Sequence, residues 1–246
     1  MFKKSKIDYD LLNNPVRIQF TNGNVTKYVY SATGEKLRVI YQTAVPNISV
    51  AMGSSRELAP SEIQFADSTD YLLGGVLTMK NGRIDKYLFG GGYAQASVAS
   101  STTDNFAFYY YNQDHLGNVR EVVDASGAVK QVTNYYPFGA PYADTSATTN
   151  AEFQPYKYNG KELDQMHGLD TYDYGARQYN PVLARWDRVD PLCEKYYSIS
   201  PYAYCGNNPV NRVDKDGRLF DTFLDGVFFF VRCGRCRIPV NFLWEC

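Results

Sequence analysis

The sequence predicts an all-β fold, a repeat-built sheet of serial antiparallel hairpins. Three observations carry that expectation. Tyrosine is in excess, at 22 of 246 residues against two His and two Trp. Short runs alternate apolar with polar side chains. Between these runs stand Gly-containing turn signals that, where they cluster, recur about every ten residues. Tyrosine and the β-branched residues suit a pleated, half-buried surface, where a ring packs on cross-strand neighbours while its hydroxyl reaches water or a backbone carbonyl.

Taken in order, residues 16–20 alternate, Thr21-Asn22-Gly23-Asn24 forms a strong turn, and residues 25–30 alternate again. Ser31-Ala32-Thr33-Gly34 then turns the chain into a third run, 36–41. The unit recurs around Asn81-Gly82, with 76–80 before it and 84–89 after it, and again at Leu116-Gly117-Asn118 and Ser126-Gly127. A single hairpin is too thin to bury its own apolar face and must stack on the next. The stretch 45–68 is polar and punctuated by Pro46 and Pro60, which predicts a loop-rich insertion. Residues 94–105 and 143–151, rich in Ser, Thr and Ala, are expected as surface connections, and short helices are expected near Ser61-Glu62 or Glu162-Leu163.

Composition removes several function classes. Lys and Arg number 25 against 26 Asp and Glu, for a net charge of −1, so no bulk positive potential favours nucleic acid as a partner. The longest apolar run, 227–231, falls far short of the roughly 18 residues that a bilayer-spanning helix needs, and no transmembrane segment is expected. Met1-Phe2-Lys3-Lys4-Ser5-Lys6 supplies the charges of a signal peptide, but Asp8, Asp10 and Asn13-Asn14-Pro15 replace its apolar segment. Cys193, Cys205, Cys233, Cys236 and Cys246 make an odd count in the last quarter of the chain, so no disulfide frame spans it.

From Tyr109 onward the sequence becomes specific. Tyr109-Tyr110-Tyr111-Asn112-Gln113-Asp114-His115-Leu116-Gly117-Asn118 is followed by Tyr135-Tyr136-Pro137-Phe138-Gly139 and Tyr156-Lys157-Tyr158-Asn159-Gly160-Lys161-Glu162-Leu163. Then come Tyr172-Asp173-Tyr174-Gly175-Ala176-Arg177-Gln178-Tyr179-Asn180-Pro181, Ala184-Arg185-Trp186, Asp190-Pro191-Leu192, Ser200-Pro201-Tyr202-Ala203-Tyr204 and Asp214-Lys215-Asp216-Gly217. In order and number these motifs resemble the RHS repeat-associated core domain of the bacterial YD-repeat proteins. The resemblance covers about residues 105–217; residues 1–104 read as degenerate YD-type hairpin repeats and 218–246 as a short variable tail. It implies a spiralling β-shell that encloses a C-terminal polymorphic toxin, with the core domain as a plug at one end. It also implies an upstream YD-repeat shell segment, in cis or in trans, and an immunity protein as partners, together with export or cell-surface association. A closed shell uses far more sequence, so this chain is expected to leave at least one edge unpaired and to be marginally stable alone.

The resemblance further implies self-cleavage by paired aspartates in two Asp-Pro-x-Gly motifs. Residue by residue these fall on Asp190-Pro191-Leu192-Cys193 and Asp214-Lys215-Asp216-Gly217, which makes Asp190 and Asp214 the candidates and Arg185 the arginine before the first motif. Close carboxylates suit the task because one can hold a proton while the other activates water. Cys193 and Lys215 depart from the pattern, and aspartates before Pro or Gly ordinarily cap turn amides. Both readings stay open at this level.

Other chemistry is thinner. His115 and His167 fall in turns, and Cys233-Gly234-Arg235-Cys236 lacks a second ligand pair, so neither a metal nor a cofactor is expected. Glu162 and Asp164 beside Lys161 read as a solvated charged turn. The 29-residue tail is too short for a toxin domain of its own, since chains below roughly 40 residues rarely fold unaided. The leading expectation is a non-enzymatic enclosing module that acts in interbacterial competition. An aspartic self-cleaving enzyme, cutting near residues 217–219, and an adhesin that contacts glycans through exposed tyrosines are the alternatives.

Overall fold

The computed structural model describes residues 3–97, 105–142, 153–218, 220–224 and 227–229. Eleven strands form one open antiparallel sheet in strict chain order. They are β1 (Lys4–Tyr9), β2 (Pro15–Phe20), β3 (Val25–Tyr30), β4 (Lys36–Ala44), β5 (Ile63–Leu72), β6 (Leu77–Lys80), β7 (Arg83–Phe89), β8 (Gly92–Ser97), β9 (Asn105–Gln113), β10 (Val119–Asp124) and β11 (Val129–Val132). The turns are local and chemically determined. Between β6 and β7, Asn81 and Gly82 both take positive φ, 50° and 77°, as a two-residue hairpin turn with the twist of its strands requires. Among the described residues β1 pairs only with β2 and β11 only with β10, so the sheet does not close.

Three sequence expectations are corrected. The insertion at 45–68 is shorter than its polarity suggested: Ile63–Leu72 is a full strand, paired with β4 from Arg38↔Asp70 to Ala44↔Ile63. Much of this strand is exposed or half-buried, so it is held by its backbone ladder and carries no apolar period. No α-helix occurs among the described residues; Pro60–Glu62 makes one 3-10 turn, and Glu162–Asp164 is extended because it pairs with Thr171–Asp173. Of the connection expected at 94–105, Ala94 and its successors to Ser97 belong to β8; residues 98–104 and 143–151, and Cys233, Cys236 and Cys246, lie outside the described residues.

One face of the sheet is covered by the later chain. Ile18, Phe20, Tyr28, Val39 and Tyr71 bury against Leu169, and farther along Tyr93, Val119 and Val122 bury with Tyr109, Tyr111 and Phe153. The opposite face leaves Ile84, Tyr87, Phe108 and Tyr110 exposed.

The covering segment folds as three small sheets: β12 (Asn134–Tyr135) with β13 (Pro141–Tyr142); β14 (Glu162–Asp164), β15 (Thr171–Asp173), β16 (Gln178–Asn180) and β17 (Arg185–Trp186); and β18 (Arg212–Asp214), β19 (Phe220–Leu224) and β20 (Val227–Phe229). Its core, Tyr158, Leu163, Tyr172, Tyr174, Tyr179, Trp186, Tyr204 and Cys205, accounts for much of the tyrosine excess. The rings supply apolar volume while each hydroxyl satisfies a buried acceptor. Tyr179 donates to Phe138 O at 2.7 Å and Tyr172 to Gly139 O at 3.0 Å, which ties the Tyr-Pro-Phe-Gly turn to the core. Gly139 must be glycine, because a Cβ there would meet the Tyr158 ring at 2.5 Å.

The seam between sheet and covering segment is polar. Lys36 Nζ lies 3.0 Å from Glu162 and 2.6 Å from Asp173, above the Tyr71 ring at 4.2 Å. The hydroxyls of Tyr28 and Tyr41 donate to Asp164 Oδ2 at 3.1 and 2.9 Å. Glu162 and Asp164, expected on a solvated turn, therefore face the sheet, and burial pushes the Asp164 carboxyl up to about 6. His167 falls in a turn as expected, the 3-10 turn Met166–Gly168, but it faces the sheet as well. Its ring lies between Thr26 and Thr43, 3.2 and 3.1 Å from their hydroxyls, with Phe20 and Tyr41 edge-on to it.

Candidate functional site

The two motif aspartates come together around a buried arginine. Asp190 follows β17 and Asp214 ends β18; the two are 3% and 1% exposed. Between them stands Arg177, 2% exposed, which leaves the tight Tyr174-Gly175-Ala176-Arg177 turn ahead of β16. Its Nη2 is 2.6 Å from Asp190 Oδ2 and 3.6 Å from Asp214 Oδ2, and its Cζ sits 4.2 Å over the Trp186 ring. Buried charge requires pairing and full hydrogen bonding, and the guanidinium has both. Nε donates to Gly217 O at 2.6 Å, Nη1 to Pro201 O at 3.0 Å and Nη2 to Arg218 O at 3.2 Å.

Each aspartate also does the ordinary turn work. Asp190 Oδ1 accepts from Leu192 N at 2.7 Å, and Asp214 Oδ1 accepts from Asp216, Gly217 and Arg218 N at 3.2, 2.7 and 3.2 Å. One oxygen of each carboxylate caps its own turn and the other faces Arg177. Two carboxylates share one cation, which leaves the site an excess negative charge when both are ionised. Burial pushes the Asp214 carboxyl up to about 6, against the backbone donors and Arg177, which pull it down. Burial likewise lowers the affinity of Arg177 for its proton, an effect opposed by the two aspartates.

Arg185 lies elsewhere. Its guanidinium covers the Tyr202 ring at 4.8 Å and its Nε donates to Trp186 O at 3.4 Å. Arg177 is the residue between the two aspartates that motif reasoning missed, and one signal could have pointed to it. It directly precedes β16, where Gln178 and Tyr179 are both buried, and a charge at such a position survives only if paired. Neither Cys193 nor Lys215 adopts a positive φ, so the two departures from the motif are accommodated without backbone strain. A cavity of about 460 Å³ lies beside the turns that carry the site, lined by Pro191, Asp216 and Arg218 together with Asn14, Thr33 and Glu35.

No protein-family model matches the chain. Salivary gland surface protein 1 of Aedes aegypti is 37% identical over 117 residues, 47% of this chain and 3% of that protein. The tRNA3(Ser)-specific nuclease WapA of Bacillus spizizenii is 29% identical over 213 residues, 85% of this chain and 7% of the nuclease. Among solved structures, the TcdB2-TccC3-Cdc42 crystal structure superposes with a TM-score of 0.63 at 21% identity, over 87% of this chain and 10% of that one. The TcdB2-TccC3 crystal structure gives 0.61 at 22%, over 86% and 10%. The chain thus spans a small fraction of each protein it matches. These likenesses support the RHS resemblance in its broad form, and the open antiparallel sheet is the fold that the structural neighbours share.

Proposed function

We propose that this chain is a terminal segment of an RHS-type toxin shell, part wall and part plug, that encloses or presents a C-terminal segment in competition between bacteria. The observation that carries the proposal is the open eleven-stranded sheet, whose end strands pair on one side only among the described residues while one face is covered by the tyrosine-rich segment. An unpaired edge such as β1 is a template for another strand, and more hairpins added there would continue the wall. The TcdB2-TccC3 neighbours, in which this chain matches a tenth of a much longer one, support association with further shell segments. The test attaches a protease-sensitive reporter after residue 246 and extends the wall with N-terminal hairpin repeats. The reporter becomes resistant to digestion in the extended protein. Equal digestion with and without the added repeats would refute enclosure.

A second reading, self-cleavage, is favoured by one observation. The Arg218 carbonyl, which begins the bond to Leu219, accepts hydrogen bonds from Arg177 Nη2 and from Tyr196 at 3.2 and 3.0 Å beside the two aspartates. Asp214, with a pKa of about 6, is suited to take a proton from water near neutral pH and return it to the leaving amine. Incubated chain is expected to yield a fragment ending at Arg218, detected by mass spectrometry, and Asp190→Asn and Asp214→Asn to abolish it. A fragment that persists in both variants would exclude the aspartates.

A further inference from the structure

We propose that Tyr196 is a catalytic residue of the self-cleavage reaction, donating its phenolic hydrogen bond to the Arg218 carbonyl oxygen as charge develops there; the inference rests on the self-cleavage reading. Tyr196 follows the 3-10 turn Cys193–Lys195, where its N donates to Cys193 O at 3.2 Å, and its ring packs on Phe220 with centroids 6.4 Å apart. These contacts aim the hydroxyl at two acceptors, Asp190 Oδ2 in a short hydrogen bond and Arg218 O at 3.0 Å.

One proton facing two acceptors has a chemical consequence. In the ground state the carboxylate is the stronger acceptor and competes for the phenol. When a water molecule attacks the Arg218 carbonyl carbon, its oxygen forms the new C–O bond, its proton passes to the Asp214 carboxylate, and the carbonyl π electrons move onto oxygen. That oxygen then outcompetes Asp190, and the phenol hydrogen bond shifts toward it while Arg177 Nη2 holds the other side. Collapse of the tetrahedral centre re-forms the carbonyl and breaks the C–N bond. Asp214 returns its proton to the leaving nitrogen, so one water is consumed and a carboxyl and an amine are left. An interaction stronger in the transition state than in the ground state is the kind that accelerates a reaction, and the swing of Tyr196 between its acceptors supplies one. Asp190 is by this account a positioning residue, holding Tyr196 and Arg177 in register. Burial and the neighbouring Asp190 carboxylate both raise the phenol pKa, so Tyr196 stays protonated and able to donate.

The full chain is incubated between pH 5 and 9 and the fragment ending at Arg218 is followed by mass spectrometry. Tyr196→Phe is expected to slow cleavage about 10²- to 10³-fold, the usual loss of one oxyanion donor, with the rise in rate on deprotonation of Asp214 still centred near pH 6. Replacing Tyr196 with 3,5-difluorotyrosine keeps the ring and covers the case of a misfolded Phe variant. Its more acidic phenol should speed cleavage while protonated and lose it at alkaline pH, where the natural tyrosine persists. Wild-type rates in both variants, with Asp190→Asn and Asp214→Asn inactive, would overturn the role of Tyr196 and leave self-cleavage standing. Absence of the fragment from the wild-type chain at every pH would overturn self-cleavage and this inference together.

Discussion

Replacing Lys36 with Met probes the seam that holds the covering segment on the sheet. Methionine keeps length and apolar volume but removes the ammonium that sits 3.0 Å from Glu162 and 2.6 Å from Asp173. The three side chains are 14%, 21% and 19% exposed, so solvent screens them little. Removing one partner of a buried pair ordinarily costs about 3–5 kcal/mol, because uncompensated charge is left behind, and the residual exposure of the carboxylates places this case near 3 kcal/mol. For a chain of this size that corresponds to a fall in Tm of roughly 6–12 °C. The effect must depend on pH with a definite sign. Burial opposes the Asp173 charge, but Lys36 outweighs it and holds the carboxyl below its ordinary value, so this stabilisation is present above the unfolded carboxylate pKa and fades as pH falls through the lower folded value. In Lys36→Met the orphaned Asp173 carboxylate takes up a proton more readily, and the gap from wild type narrows toward pH 4. Thermal melts followed by circular dichroism at pH 7 and pH 4 measure both. A loss below 1 kcal/mol at pH 7, or an equal loss at both pH values, would refute the charge argument.

Two further perturbations test the core and the seam. Asn159→Ala strips the Oδ1 that accepts from Tyr174 at 2.7 Å and Tyr204 at 2.6 Å, and chemical denaturation should show a loss of about 2–3 kcal/mol from leaving buried hydroxyls short of an acceptor. Burial lowers the His167 pKa to about 4 from 6.5, so the unfolded chain binds the proton more tightly and stability drains as pH falls from about 6.5 toward 4. His167→Gln should flatten that part of the pH–stability curve, and an unchanged slope would show that other groups set it.

Much of this protein is legible one segment at a time. The hairpins can be read because alternation and Asn-Gly turns act over a few residues, and Asn81-Gly82 forms its turn from its own φ preferences. The aspartates Asp190 and Asp214 can be singled out only through the resemblance, on which the two motifs fall; their local sequence says no more than that they cap turn amides. Strand β5 escapes such reading because it is mostly exposed or half-buried, so no apolar period marks it; only its partners β4 and β6 make it a strand. Which arginine enters the site is also undecided by local sequence, since Arg185 borders Trp186 while Arg177 stands between Ala176 and Gln178, and neither setting marks a partner for two aspartates. The choice falls to carbonyls about 40 positions away, at Gly217 and Arg218, which only the folded chain brings to one guanidinium. His167 is likewise a turn residue by sequence that in space sits half-buried in the seam, because its hydrogen-bond partners Thr26 and Thr43 lie 141 and 124 positions back. Strand and turn follow from what a residue does with its nearest neighbours; burial and pairing of charge follow from which distant surfaces must exclude water together, and only the tertiary fold decides that.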